Sequence, residues 1–338
     1  MTERKELRMA NRIRIGILGA ARITKNALIS PAKNVPEVEI RAIAARSKDR
    51  AEVQARKYGI NTVHTSYEAL LSDPEIDAVY IPLPNSLHCE WSIKAMQAGK
   101  HVLCEKPIAS NADEAEQMAD VAASKGVVIA EAMHSRYHAF PDRIASMLDG
   151  SPIGKITHAE SFACFIIASR KDIRWQFKLG GGALMDLGVY AIAVLRSLVG
   201  EEPAEVTSVD MKFANPNVDR WVDAHLRFPS GATGRVLTSM WGLPLIKGEA
   251  FAQGTKGKLT VLNPFAPQLF NRLDLVVDGK KKSETVPKRP DTYECQLRAF
   301  ASAITQGTAL RTGPAHFIAN MRVVDAIYRK AGVPPRGK

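Results

Sequence analysis

Only four cysteines occur in 338 residues, Cys89, Cys104, Cys164 and Cys295, and no two share the CxxC spacing of a zinc or redox site. That scarcity argues against a structural metal and against a disulfide framework, and it predicts a protein of a reducing, cytoplasmic compartment. No apolar run reaches the ~18 residues that a membrane helix needs. The N-terminal MTERKELRMANR has no apolar segment and no small-residue cleavage site, so it reads as a short solvated arm and not as a signal peptide. Internal repeats and low-complexity tracts are absent as well.

What is present is ordinary globular composition, with 46% hydrophobic and 24% charged residues in a chain long enough for two cores. The formal net charge of +11 raises the question of nucleic acid. Its densest runs are the N-terminal arm and Lys280-Lys281-Lys282, which follows a hairpin-like Asp278-Gly279, and neither interleaves aromatics for base stacking. Lys280 to Lys282 are expected in a solvated loop, and the basic surface suits steering of a small anionic ligand.

From residue 12 to about 133 the runs RIRIGIL, VEIRAIA, DAVYIPL, KHVLCE and VVIAEAM alternate with helical stretches at 51–58, 86–98 and 113–124. Repeated βα units with right-handed crossovers require a doubly wound parallel sheet. After residue 138 one helix, 140–148, precedes long strand-like runs at 155–168, 205–213, 221–228, 233–241, 248–253, 258–262 and 273–277, with a closing helix near 315–330. Hairpin-length breaks between them predict a large, mainly antiparallel sheet in an α+β domain. The expected division is 1–135 for a nucleotide-binding domain and 136–338 for a substrate-binding and oligomerisation domain.

The first strand runs into Gly16-Ile17-Leu18-Gly19-Ala20-Ala21-Arg22-Ile23, a strand-to-helix turn of the kind whose backbone amides cradle a pyrophosphate. Gly19 holds the tight-turn position, while Ala21 and Thr24 replace the later glycines of the full fingerprint. The second strand ends Ala44-Ala45-Arg46-Ser47, where an acidic residue would select NAD. Arg46 and Ser47 instead suit a 2'-phosphate and favour NADP, with Asp49 expected to point along the next helix.

Strand ends face the ligand crevice of such a sheet, which places Pro82-Leu83-Pro84-Asn85 to His88 and Glu105-Lys106-Pro107 at one cleft. His88 is read equally well as an ordinary helix-start histidine. The prolines hold the chain extended and allow a cis peptide beside Lys106. Helix 183–195 is apolar all round apart from Asp186 and Tyr190, four apart on one face, and Gly180-Gly181-Gly182 before it permits close backbone approach. Each polar group alone has a structural explanation. Together with a lysine they make a proton relay: lowering a tyrosine by about three pKa units costs ~4 kcal/mol, and an ammonium ~4 Å away at an effective dielectric of ~20 supplies that much.

The EKP turn at 105–107, the Pro84-Asn85 to His88 segment and GGGALMDLGVY at 180–190 resemble the glucose-fructose oxidoreductase, inositol dehydrogenase and rhizopine catabolism (Gfo/Idh/MocA) family over nearly the whole chain. The resemblance implies a Rossmann domain followed by an open-sheet domain that carries substrate contacts and a homo-oligomer interface. It implies that Lys106 is the essential lysine and that Asp186 and Tyr190 are the motif's aspartate and acid/base. Tyrosine at 190, where inositol dehydrogenases carry histidine, and Asp172-Ile173-Arg174-Trp175 look like the dihydrodiol dehydrogenase, xylose dehydrogenase, glucose-fructose oxidoreductase and sugar-nucleotide ketoreductase branch. There the arginine lies close to the cofactor.

The expected cofactor contacts are therefore Gly19, Ala20, Ala21, Arg22 and Ile23 in the loop, and Arg46, Ser47 and Arg50 at the second strand. Pro82, Leu83, Asn85, His88, Glu105 and Lys106 follow at the later strand ends, and Arg174 and Trp175 in the second domain. His138, Arg174 and Tyr293 join Lys106, Asp186 and Tyr190 as substrate candidates. The implied activity is NADP(H)-dependent oxidoreduction of a sugar or polyol hydroxyl, with a trans-dihydrodiol dehydrogenase or a non-catalytic NADP(H)-sensing regulator as alternatives.

Overall fold

The computed structural model describes residues 12–215 and 217–337, without the side chain of Asn215, so the charged N-terminal arm lies outside the described residues. The chain divides into two units. One comprises residues 1–108, 113–137 and 293–315, and the other 109–112, 138–292 and 316–338. The chain thus passes between them repeatedly, where the sequence suggested a single boundary after residue 135.

The first unit is built on six parallel strands, β1 (Ile13–Leu18), β2 (Val38–Ala44), β3 (Thr62–His64), β4 (Ala78–Ile81), β5 (His101–Cys104) and β6 (Ile129–Glu131), in the order β3-β2-β1-β4-β5-β6. That is the doubly wound dinucleotide-binding order. The continuous apolar runs of β1 and β4 are buried as a parallel sheet covered on both faces demands. The sequence reading missed β3, a half-buried three-residue edge strand. It also missed helix Thr292–Gln306, whose Leu297, Phe300 and Ala301 pack against Ile13, Ile15 and Ile17 of the central strand.

The second unit is built on eight strands, β7 (Ile156–Cys164), β8 (Glu205–Asn215), β9 (Val218–Arg227), β10 (Thr233–Ser239), β11 (Lys247–Gly254), β12 (Gly257–Leu262), β13 (Arg272–Val277) and β14 (Lys280–Glu284). Their order is β14-β13-β12-β11-β7-β10-β9-β8, antiparallel except for the parallel pair β7 and β10. Lys280 to Lys282 are exposed as expected but belong to β14, paired with β13 across Asp278-Gly279, and so are not a loop.

Helix Val189–Val199, entered through a π-helical turn Leu184–Gly188, lies on this sheet against β7, β10 and β11. The strand face beneath it carries Ala159, Ser161 and Ala163, small enough for close approach. Residues 177–199 are long and apolar enough for a membrane span by length and composition only, and 67% of an 18-residue stretch within them is buried inside the protein, as befits a core helix.

Candidate active site

In the first unit, Gly19 ends β1 with φ +118° and donates its amide to Ala44 O at 2.7 Å. A Cβ there would stand 3.0 Å from Leu83 Cδ2, so the backbone conformation and the space both favour glycine. The following carbonyls are held from helix Lys48–Tyr58: Arg50 Nη2 donates to Ala20 O at 3.0 Å and Gln54 Nε2 to Ala21 O at 3.3 Å. Arg50 therefore shapes the loop. Arg22 and Ile23 are exposed beyond it, and Thr24 is fully buried with no hydrogen-bond partner for its hydroxyl.

At the end of β2, Arg46 is exposed and Ser47 caps the next helix, its Oγ accepting the Arg50 amide at 3.4 Å. Asp49 is in that helix's first turn. Burial pushes the Tyr67 phenol up, opposed by a hydrogen bond with the Arg46 backbone and by the charges of Arg46 and Arg50. Arg46, Ser47 and Arg50 thus follow one another at the end of β2, residue types that suit a phosphate monoester.

The later strand ends are braced from below. Glu105 is buried and accepts the Tyr80 hydroxyl at 2.6 Å, so its side chain is turned to the core and not to the cleft. His88, fully buried, sets Nδ1 2.7 Å from Pro107 O and Nε2 2.8 Å from Leu83 O. Both ring nitrogens are occupied by backbone, which makes His88 a clamp between the two turns and removes it from the direct cofactor contacts. Pro82 and Leu83 are buried, while Asn85 is half-buried at the start of a short 3-10 turn. Lys106 is half-buried, and its peptide bond to Pro107 is cis.

One residue that the sequence reading overlooked stands beside that lysine. His134 follows β6, is 6% exposed, and stacks on Tyr293 with ring centroids 3.9 Å apart. Burial first, and the Lys106 charge second, lower its pKa from 6.5 to about 3. His134 is therefore a neutral imidazole at any working pH, and Tyr293 is placed with Lys106 in the same unit. Extending the strand-end rule from β4 and β5 to β6 would have found it.

In the second unit, Asp186 lies in the π-helical turn and Tyr190 one step further, as the spacing implied. Arg174 joins them: its Nε is 2.9 Å from Asp186 Oδ2 and its Nη1 3.2 Å from Asp172 Oδ2. Its pKa is raised, chiefly by Asp186, with smaller contributions from Asp172 and Tyr190. Tyr190 meets Phe265 edge-on at 6.1 Å.

Two candidates drop out. Trp175 is 3% exposed, bonds Ile167 O through Nε1 at 3.0 Å and packs with Ala183, Val218 and Met240, so it is core. His138 is 1% exposed and caps helix Ala139–Leu148, with Nδ1 accepting the Phe140 amide at 3.2 Å. Gly181 and Gly182, before the helix that carries Asp186 and Tyr190, admit protein and not ligand: a Cβ on Gly181 would lie 2.5 Å from Arg174 O, and one on Gly182 would lie 2.3 Å from Asp219 Oδ1. No cluster of potential metal ligands occurs among the described residues.

Residues 13–133 match the model of an oxidoreductase family with an NAD-binding Rossmann fold, and residues 142–260 match the GFO/IDH/MocA C-terminal domain. The chain is 37% identical to a D-xylose 1-dehydrogenase (NADP(+)) of Haloferax volcanii, over 94% of this chain and 96% of that one. It is 32% identical to the mouse trans-1,2-dihydrobenzene-1,2-diol dehydrogenase, over 81% and 80%. Among solved structures, a 3-ketoreductase from Actinomadura kijaniata in complex with NADP and TDP-benzene superposes with a TM-score of 0.88 at 29% identity, covering 95% of this chain and 98% of that one.

Proposed function

The chain belongs to the Gfo/Idh/MocA oxidoreductase family, and from that premise we propose that it is an NADP(H)-dependent dehydrogenase or reductase acting on a hydroxyl or carbonyl of a sugar or polyol. The observation that carries the cofactor choice is the exposed Arg46 at the end of β2, where an acidic residue would select NAD, with Ser47 and Arg50 beside it. Relatives named for NADP and for sugars support the same reading.

NADP, when bound, supplies or accepts the hydride. The remaining work belongs to side chains. Tyr190 would take the substrate hydroxyl proton in oxidation and return it in reduction, with the Lys106 ammonium stabilising the phenolate. The Arg174 cation engages Asp186 and acts on Tyr190, so the acid/base group works beside a fixed positive charge. With His134 neutral, it adds no second cation beside Lys106. Asp186, held by Arg174, would orient a sugar hydroxyl. As part of the same proposal, the protein works in the cytoplasm, where its four free thiols are stable, and assembles as a homo-oligomer through the second sheet.

The test is a screen of NADPH and NADP turnover against aldoses, keto-sugars, polyols and aromatic trans-diols, followed by Tyr190→Phe on the best substrate. The reading requires turnover to fall by about a hundredfold or more while NADPH binding persists. Near-normal turnover in that variant would remove Tyr190 from the reaction, and a preference for aromatic diols would move the substrate class. NADPH binding with no turnover across the panel would support a sensor instead.

A further inference from the structure

The helix that carries Asp186 and Tyr190 begins over a buried ionic knot that no part of the proposed reaction uses. Asp219, near the start of β9, is fully buried. Its Oδ2 accepts the Leu184 amide at 2.7 Å, and its Oδ1 accepts the Tyr328 hydroxyl at 3.0 Å and a hydrogen bond from Arg336 Nη2. Arg336 comes from the last residues of the chain and is 3% exposed. Its guanidinium lies 4.6 Å from the Tyr328 ring centroid and 4.7 Å from that of Phe177, and its carbonyl accepts Asn111 Nδ2 at 2.8 Å.

A carboxylate at this point does two things. It satisfies an amide that the start of the helix leaves without an intrahelical partner, and it places negative charge at the positive end of the helix dipole. Burying that carboxylate is costly unless a cation is supplied, and Arg336 is the cation that bonds it. The contact is also close-fitting: Gly182 has φ +143° and leaves its side-chain space to Asp219 Oδ1.

We propose that Arg336 is a positioning residue, acting through Asp219 and the Leu184 amide to fix the turn Leu184–Gly188 and so the placement of Asp186 and Tyr190. The C-terminal tail would then be a working part of the active site without touching substrate. This inference rests on the proposed dehydrogenase function only for its catalytic consequence; the mechanical link from tail to helix stands by itself.

The experiment separates the two. Arg336→Lys keeps the charge and loses the planar fork, whereas Arg336→Ala loses both; the double variant Asp219→Asn with Arg336→Met removes both buried charges and serves if Arg336→Ala does not fold. Hydrogen exchange of peptides spanning 182–190 is followed by mass spectrometry in the full chain, next to NADPH affinity and turnover per folded molecule. Exchange in that span is expected to rise at least tenfold in Arg336→Ala or the double variant and less in Arg336→Lys, with NADPH affinity within twofold of the parent. Turnover is expected to fall at least tenfold with KM changed far less, and added guanidinium ion at millimolar concentration is expected to restore part of it in Arg336→Ala. Unchanged exchange at 182–190 would overturn the link. Raised exchange with full turnover per folded molecule would overturn the positioning role. If the parent protein turns over no substrate, the dehydrogenase reading fails and the exchange data still decide the link.

Discussion

Replacing His134 with glutamine isolates a charge that the folded protein refuses to carry. In the native state its imidazole has a pKa of about 3 against an ordinary 6.5, because burial and the neighbouring Lys106 ammonium both disfavour the proton. Above pH ~6.5 the ring is neutral folded or unfolded and contributes nothing to pH dependence. Below that, the unfolded chain takes up a proton that the native state does not, so stability is lost as pH falls and the loss continues down to the native pKa. The whole gap is worth at most ~5 kcal/mol, and the part between pH ~7 and pH ~5 is ~2 kcal/mol. Urea unfolding of parent and His134→Gln at those two pH values measures it. Losing the stack on Tyr293 lowers the variant's stability by ~1 kcal/mol at both pH values, so the difference in slope is the diagnostic and not the absolute value. His88, His101 and His138 have lowered pKa values in both proteins and cancel. Parallel slopes for the two proteins would show that His134 protonates freely and would refute a neutral imidazole beside Lys106.

Arg46→Glu puts a carboxylate where the 2'-phosphate is proposed to sit and is expected to shift the ratio of kcat/KM for NADP against NAD by about a hundredfold, the worth of a charged hydrogen bond lost and a repulsion gained; steady-state kinetics with both cofactors check it, and an unchanged ratio removes Arg46 from cofactor selection. Gly182→Ala drives a methyl against the Asp219 carboxylate in a backbone region that alanine avoids. It is expected to lower stability by ~2 kcal/mol or more in urea unfolding, and a variant as stable as the parent would show that the carboxylate is not tightly seated.

The two sheets were legible because their strands announce themselves by period and by turn residues: the continuous runs of β1 and β4, and the hairpin-length breaks at Pro229-Ser230-Gly231 and Thr255-Lys256-Gly257. Three-residue β3 is too short to show a period. Helix Thr292–Gln306 does show one, in Leu297, Phe300 and Ala301, but its partners Ile13, Ile15 and Ile17 lie at the other end of the chain, and periodicity names a face without naming what covers it. The same limit bears on the candidate site residues. Lys106, Asp186 and Tyr190 stand in local motifs, so their elements could be read directly. His88, Trp175 and His138 look like ligand contacts only until their hydrogen bonds are seen to end on their own unit's backbone.

The grip on the helix that carries Asp186 and Tyr190 is the extreme case of that limit. Asp219, Tyr328 and Arg336 are spread over more than a hundred residues and share no spacing, yet all three meet at one amide and one carboxylate. What the sequence does carry is the space they need: a glycine run at 180–182 before an apolar helix marks a place where something must come close. In this fold the close neighbour is the protein's own buried carboxylate, 2.3 Å from where a Gly182 Cβ would be. A glycine motif beside candidate catalytic residues therefore does not imply that a ligand fills the space. Here it marks where the start of the helix that carries Asp186 and Tyr190 is met from behind, by Asp219 and the Arg336 that bonds it.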